Sequence, residues 1–380
     1  MSIKLRFSLV CQLVIQVIFF VLSSQALAYK LGDLQVDLTG GLKQVYDDNI
    51  TYAESDRRSD FNTTASLGIK ALAEGKLRSA GFTGNFAFSH FYRYSRYDNH
   101  SQDFSVFYNQ ELDKYNRFRV SDSFSHDYEP RSFEDAFGRT SGRYSIYNNR
   151  FKLDYSKDFT RRFAGIFEYA NNNTHYSRSD LTDSNLNSLG FTGQYAINSK
   201  LLALGSYAYS RREFESGGFT AGNLLSAGLR NYFTSQLYLD AMTGVNFLRD
   251  ITGKHYSKPV FSLLLTDELD AVSTTRCGFR REYNSVSYQQ DLFNYWEFFA
   301  DFTRRLTARL GYTFSGFYGR GEYLNSFIKD TLKGASCGLT YDLTQRLKGD
   351  ITYSYSITDS NEASREYRKN MLTLGFRMDI

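Results

Sequence analysis

The sequence predicts an all-β chain: an up-and-down antiparallel β-barrel of about 18 strands that crosses a membrane, with short turns at one end and long loops at the other. Three observations predict it. Apolar and polar residues alternate along most of the chain, the period of a strand with two unlike faces. Short turns of one kind recur about every 33 to 46 residues, and longer polar segments lie between them. Composition leaves few rivals. A mean hydropathy of -0.45 with 23% charged residues excludes a bundle of transmembrane helices, each of which needs about 20 consecutive apolar residues. Only 2 prolines in 380 residues exclude long Pro-rich linkers.

Taken in order, the chain opens with Lys4 and Arg6 ahead of an apolar stretch over 7–22, then Ser23, Ser24 and Ala26-Leu27-Ala28. A charged start, an apolar middle and an A-x-A site predict a cleaved signal peptide over 1–28 and an exported barrel over 29–380. Of the 45 basic and 41 acidic residues, the first 28 remove two bases, so the exported balance is 43 − 41 = +2. That balance supplies no clustered basic face for a nucleic acid. Cys277 and Cys337 are then too few for a disulfide framework. On strands three places apart they stand about 14 Å from each other, so two free thiols are expected.

Alternation is plain at Leu34, Val36, Leu38 and Leu42, at Phe151, Leu153 and Tyr155, and at Leu347, Ile351, Tyr353 and Tyr355. Asp-Phe-Thr-Arg-Arg at 158–162 returns at 301–305 and, loosely, over 342–347; weaker copies lie at 73–77, 112–116, 197–201, 233–237 and 266–269. Nine polar segments alternate with these eight turns, at 47–60, 95–101, 127–144, 172–183, 211–222, 249–257, 281–291, 319–325 and 359–366. A propeller repeats at a similar period but lacks this asymmetry of short turns and long loops. Over 327–343 the pattern leaves either face open as the outer one. The last strand, Leu372, Leu374, Phe376, Met378 and Ile380, alternates to the final residue and resembles the C-terminal signal read by the barrel-assembly machinery, with Ile380 in place of the usual Phe.

The 33 Phe, 30 Tyr and single Trp fit the aromatic girdles of such a barrel. Phe159, Phe163, Phe233, Trp296, Phe302 and Tyr341 are assigned to the short-turn rim; Tyr92, Tyr94, Tyr209, Phe317 and Tyr318 are assigned to the loop rim.

With Tyr46-Asp47-Asp48-Asn49-Ile50 after the first strand, Ser59-Asp60-Phe61 opening the second, and the Asp-Phe-Thr-Arg-Arg turns, the chain resembles the putative β-barrel porin type 2 family. The resemblance implies a Gram-negative outer-membrane barrel, often encoded beside capsule or exopolysaccharide export systems. Its partners would be outer-membrane lipid, the barrel-assembly machinery and, in that setting, polysaccharide or periplasmic export components. No catalytic residue and no cofactor come with it.

Candidate site residues follow from the alternation. If apolar residues face lipid, their alternates line the lumen: Arg119, Arg150, Lys152, Asp154, Glu168, Arg230, Asp240, Arg276, Arg309, Lys348, Asp350 and Arg377. Placing Arg or Lys on the lipid side costs about 2 to 4 kcal/mol each at the bilayer midplane. The longest loop carries Arg131, Glu134, Asp135, Arg139 and Arg143, an expected constriction if the loop folds inward. The five histidines are scattered, with no His-Glu-x-x-His or Cys-x-x-Cys spacing for a metal. A Gly-x-Ser-x-Gly match at 334–338 lies inside a predicted strand, where no nucleophile elbow forms. The expected function is passage of polar solutes or glycans, without catalysis; the competing expectation is a plugged structural or adhesive barrel.

Overall fold

A computed structural model of the chain describes residues 30–31, 34–129, 140–270, 273–286 and 290–380. The signal-peptide assignment at 1–28 lies outside the described residues. After a two-residue strand β1 (Lys30–Leu31) come β2 (Leu34–Asp47), β3 (Asp60–Glu74), β4 (Arg78–Phe91), β5 (Asn99–Asp113), β6 (Asn116–Asp127), β7 (Ile146–Asp158), β8 (Phe163–Tyr176), β9 (Ser184–Ala196) and β10 (Leu201–Phe214). The chain continues through β11 (Phe219–Tyr232), β12 (Leu237–Arg249), β13 (His255–Asp270), β14 (Ser273–Ser285), β15 (Leu292–Arg305), β16 (Leu310–Tyr323), β17 (Lys329–Asp342), β18 (Leu347–Ser360) and β19 (Tyr367–Asp379). Each strand from β3 onward pairs antiparallel with its predecessor, and β19 pairs with β2, so the wall closes. Of the 19 strands in the sheet, β1 adds only an edge bridge to β2, which leaves 18 in the wall. Closure satisfies every strand edge, the condition for a sheet to stand in hydrocarbon.

The short turns share a chemical device. In Phe159-Thr160-Arg161-Arg162-Phe163 the Thr160 hydroxyl accepts the amides of Arg162 at 3.2 Å and Phe163 at 3.0 Å. The Phe159 amide donates to the Phe163 carbonyl at 2.9 Å. Asn198, Thr234, Thr307 and Thr344 repeat the arrangement, each accepting from the amides two and three residues on. The unit is therefore apolar, Thr or Asn, any small or polar residue, a polar residue, apolar: a side-chain oxygen takes the place of a turn amide's missing partner.

This corrects two of the expected turns. Residues 301–305 are strand, and the turn is Leu306-Thr307-Ala308-Arg309, because the Asp-Phe-Thr-Arg-Arg copy is followed at once by a second Thr-centred unit and the pairing of β15 with β14 and β16 selects the later one. Residues 266–269 belong to β13, which runs on to Asp270. Several strands also extend into segments read as loops, most of all over 211–222, where only 215–218 connect β10 to β11. A strand that projects above the hydrocarbon keeps its ladder without apolar residues, so alternation fades before the strand ends.

One face of the wall is apolar and bare. Leu372, Leu374, Phe376, Met378 on β19, Leu225 and Leu229 on β11, and Phe298 on β15 are all exposed. Their burial comes from lipid rather than from a protein core. The register of β17 is settled here: Cys337 and Leu339 pair with Tyr353 and Ile351 on the outer face. Two aromatic assignments change. Trp296 lies toward the loop end of β15, against Tyr318 and Phe298, and Phe317 turns away from lipid to pack on a buried cluster of Phe293, Tyr295, Tyr323, Ile328 and Leu332. Cys277 and Cys337, on β14 and β17, are free.

Candidate functional site: the barrel lumen and its mouth

Cross-strand register collects the predicted charges on the inner face. Arg119 on β6 pairs in register with Asp154 on β7, and Asp154 with Glu168 on β8. Lys152 reaches Asp154 at 2.9 Å and Glu168 at 3.1 Å. Arg230 on β11 makes a two-pronged contact with Asp240 on β12, at 2.6 and 2.8 Å. Arg276 stands in register with Asp301, and at the turn rim Asp379 lies 4.0 Å from Lys348 and 3.8 Å from Arg377. Asp350 fills the space left by Gly375, where a Cβ would strike its carboxylate. Arg150 shares the inner face of β7 with Lys152. Arg309 alone leaves the wall: it sits exposed in the turn before β16, a consequence of the shifted turn. Between the charges stand hydroxyls, paired as Ser206 with Ser226 at 2.6 Å and Thr64 with Ser89 at 2.7 Å.

At the loop end, side chains tie distant loops together. Arg143 is buried against Phe91 and donates to Glu129 at 2.9 Å. Glu129 also receives Lys369 at 3.1 Å and the Tyr52 hydroxyl, while Lys369 meets Asp47 at 2.9 Å. The Ser141 amide donates to Ser364, and the Gly142 amide to Thr51, each at 2.7 Å. The loop after β6 thus bonds to the loops after β2 and β18. Of the expected constriction residues, Arg143 joins this network; Arg131, Glu134, Asp135 and Arg139 lie outside the described residues. A second tie is fully buried: Arg365 donates to Asp330 at 2.5 Å and to the Tyr323 hydroxyl at 3.1 Å.

The Asp47-Asp48-Asn49 run, which carries the sequence resemblance, works at the seam where the barrel closes. Asp48 accepts the backbone and side-chain amides of Asn370 on β19 at 2.7 and 2.6 Å. Asn49 donates to the Arg368 carbonyl at 2.9 Å, and Asp60 accepts the amides of Arg93 and Tyr94. These residues lock first strand to last and first loop to second.

Below the loops lies a cavity of about 780 Å³, walled by β6 to β12 on one side and by β14 and β15 on the other. Ser123, Asn148, Arg150, Asn172, Arg212 and Arg280 are among its lining residues. Arg212 and Arg280 escaped the sequence reading. Arg212 fell within a segment read as loop, and Arg280 stood beside one. Among the described residues no group of three His, Cys, Asp or Glu side chains is placed to hold a metal ion. The Gly-x-Ser-x-Gly match is strand, within β17.

Residues 296–380 match the family described as Putative beta-barrel porin 2. That stretch is 85 of the 380 residues, so the match is a likeness of the C-terminal strands, from within β15 to β19. No curated protein matches the sequence. Among solved structures, the outer membrane protein OpdK from Pseudomonas aeruginosa superposes with a TM-score of 0.51 at 9% identity, covering 91% of this chain and 99% of that one. OccK2 (OpdF) from the same organism gives 0.49 at 11% identity over 92% and 99% of the two chains. The FrpB iron transporter from Neisseria meningitidis gives 0.49 at 9% identity over 90% and 69%. Only the first passes one half, and at such identity a likeness shows the fold alone. The match over 296–380 and the barrel fold together point to the outer membrane.

Proposed function

We propose that the chain is an outer-membrane channel through which polar solutes pass, glycans among them. One observation carries the reading: the closed wall has a continuous inner face of hydroxyls, amides and mostly paired charges around open space, opposite an outer face of bare apolar side chains. A wall of 18 strands encloses an aqueous lumen by its diameter alone. The sequence resemblance supports exopolysaccharide or capsule export as the setting. Export components on the periplasmic side would then be partners, and the barrel-assembly machinery would read β19. The test is single-channel recording of the processed barrel in a planar bilayer, with and without added oligosaccharides. Stable open steps, blocked by one class of glycan, are the expected result. A well-folded barrel that stays silent would favour the second reading, a plugged structural or adhesive barrel, which the cross-bonded loops at the mouth support.

A further inference from the structure

We infer that the cavity beneath the loops is a binding site for a carboxylate- or sulfate-bearing solute, of which an acidic oligosaccharide is the type, held by Arg150 and Arg212. This deepens the channel reading and rests on it. Two other cations of the inner face have their acids: Lys152 has two and Arg230 has Asp240. Arg150 and Arg212 make no ion pair among the described residues. The Arg212 guanidinium has one protein hydrogen bond, from Nη1 to the Ser184 hydroxyl at 2.8 Å, and its Nε is buried without a partner. Arg150 contributes only its carbonyl, to Ser123. Arg280, the third arginine of the cavity, is matched by Glu297.

Among the described lining residues there is no Asp and no Glu, while Asn148 and Asn172 add amide donors and Ser123 and Ser188 add hydroxyls. A half-buried guanidinium with an unused donor is costly unless an anion completes it. Arginine's planar fork suits a carboxylate or sulfate, and the surrounding amides and hydroxyls suit the ring hydroxyls of a sugar. Tyr176, half-buried on the same wall, adds an aromatic side chain to the lining. The place of the cavity, between the mouth network and the paired-charge belt, puts it on the path of any solute crossing the lumen.

The experiment is titration calorimetry on the detergent-folded, processed barrel with trigalacturonate and, as the neutral match, maltotriose. Folding of every variant is checked by heat-modifiable migration on a gel. Saturable trigalacturonate binding is expected, at least tenfold tighter than maltotriose. Arg212→Gln and Arg150→Gln should each weaken it about tenfold, and Arg212→Lys should retain part of it. Equal affinity for the two sugars, no binding by the folded wild type, or binding unmoved in the Arg150→Gln/Arg212→Gln double variant would overturn the site. Bilayer conductance is read separately. A conducting barrel that does not bind trigalacturonate keeps the channel and loses the site; a silent barrel that binds it keeps the site and loses the channel.

Discussion

Arg230 and Arg212 stand on neighbouring strands, β11 and β10, both facing the lumen, and they differ in one respect that matters. Arg230 meets Asp240 in register across the β11–β12 ladder, so its charge is returned by the wall itself. Arg212 pairs in register with Thr220 on one side and Leu186 on the other, neither of which can answer it. The same residue type is thus structural in one position and available to a solute in the next. In a lumen, sequence chemistry alone does not separate the two; the cross-strand neighbour does.

The contrast can be broken in several ways. The largest effect is expected where a pair is wholly buried. Arg365→Met strands Asp330 without its partner and should cost about 3 to 5 kcal/mol, read as a lower urea midpoint for folding into detergent. Arg230→Met leaves Asp240 unanswered, but both side chains are partly solvated, so about 1 to 2 kcal/mol is expected by the same measurement. Thr307→Ala removes the acceptor of two turn amides and should cost about 0.5 to 1 kcal/mol, while Thr303→Ala, in the competing copy of the motif, should be nearly neutral. Equal losses at the two threonines would return the turn to 301–306. Arg212→Met should leave stability within about 0.5 kcal/mol of wild type, since no protein acid loses a partner. A loss as large as that of Arg230→Met would mean that Arg212 is structural after all.

The smallest effect concerns pH. In the loop after β8, the hydrogen bond from Arg178 holds the Asp180 carboxyl below the usual carboxylate range, against a smaller opposing effect of desolvation. A depressed carboxyl contributes stability above its unfolded pKa and loses it as pH falls through the folded value. This loop should therefore keep its amide-exchange protection at pH 5 and lose it only below about pH 4.

Much of this architecture was legible in residue order. Alternation at Leu372 to Ile380 or Phe151 to Tyr155 has one physical meaning, a strand between lipid and water, and eighteen such strands joined by turns and loops in strict alternation must run up and down. Paired charges such as Lys152 with Glu168 could be assigned to the lumen because the opposite face would cost too much. Three things required the closed wall. Phe302-Thr303-Arg304-Arg305-Leu306 and Leu306-Thr307-Ala308-Arg309-Leu310 are both good turns locally, and only pairing with β14 and β16 chooses between them, moving Arg309 out of the pore. Strand ends above the membrane need no apolar residues, so Arg212 was hidden in an apparent loop. The tie of Lys369 to Glu129 joins residues 240 positions apart. Local periodicity records which face a side chain takes, but a partner brought round the barrel is a matter of closure.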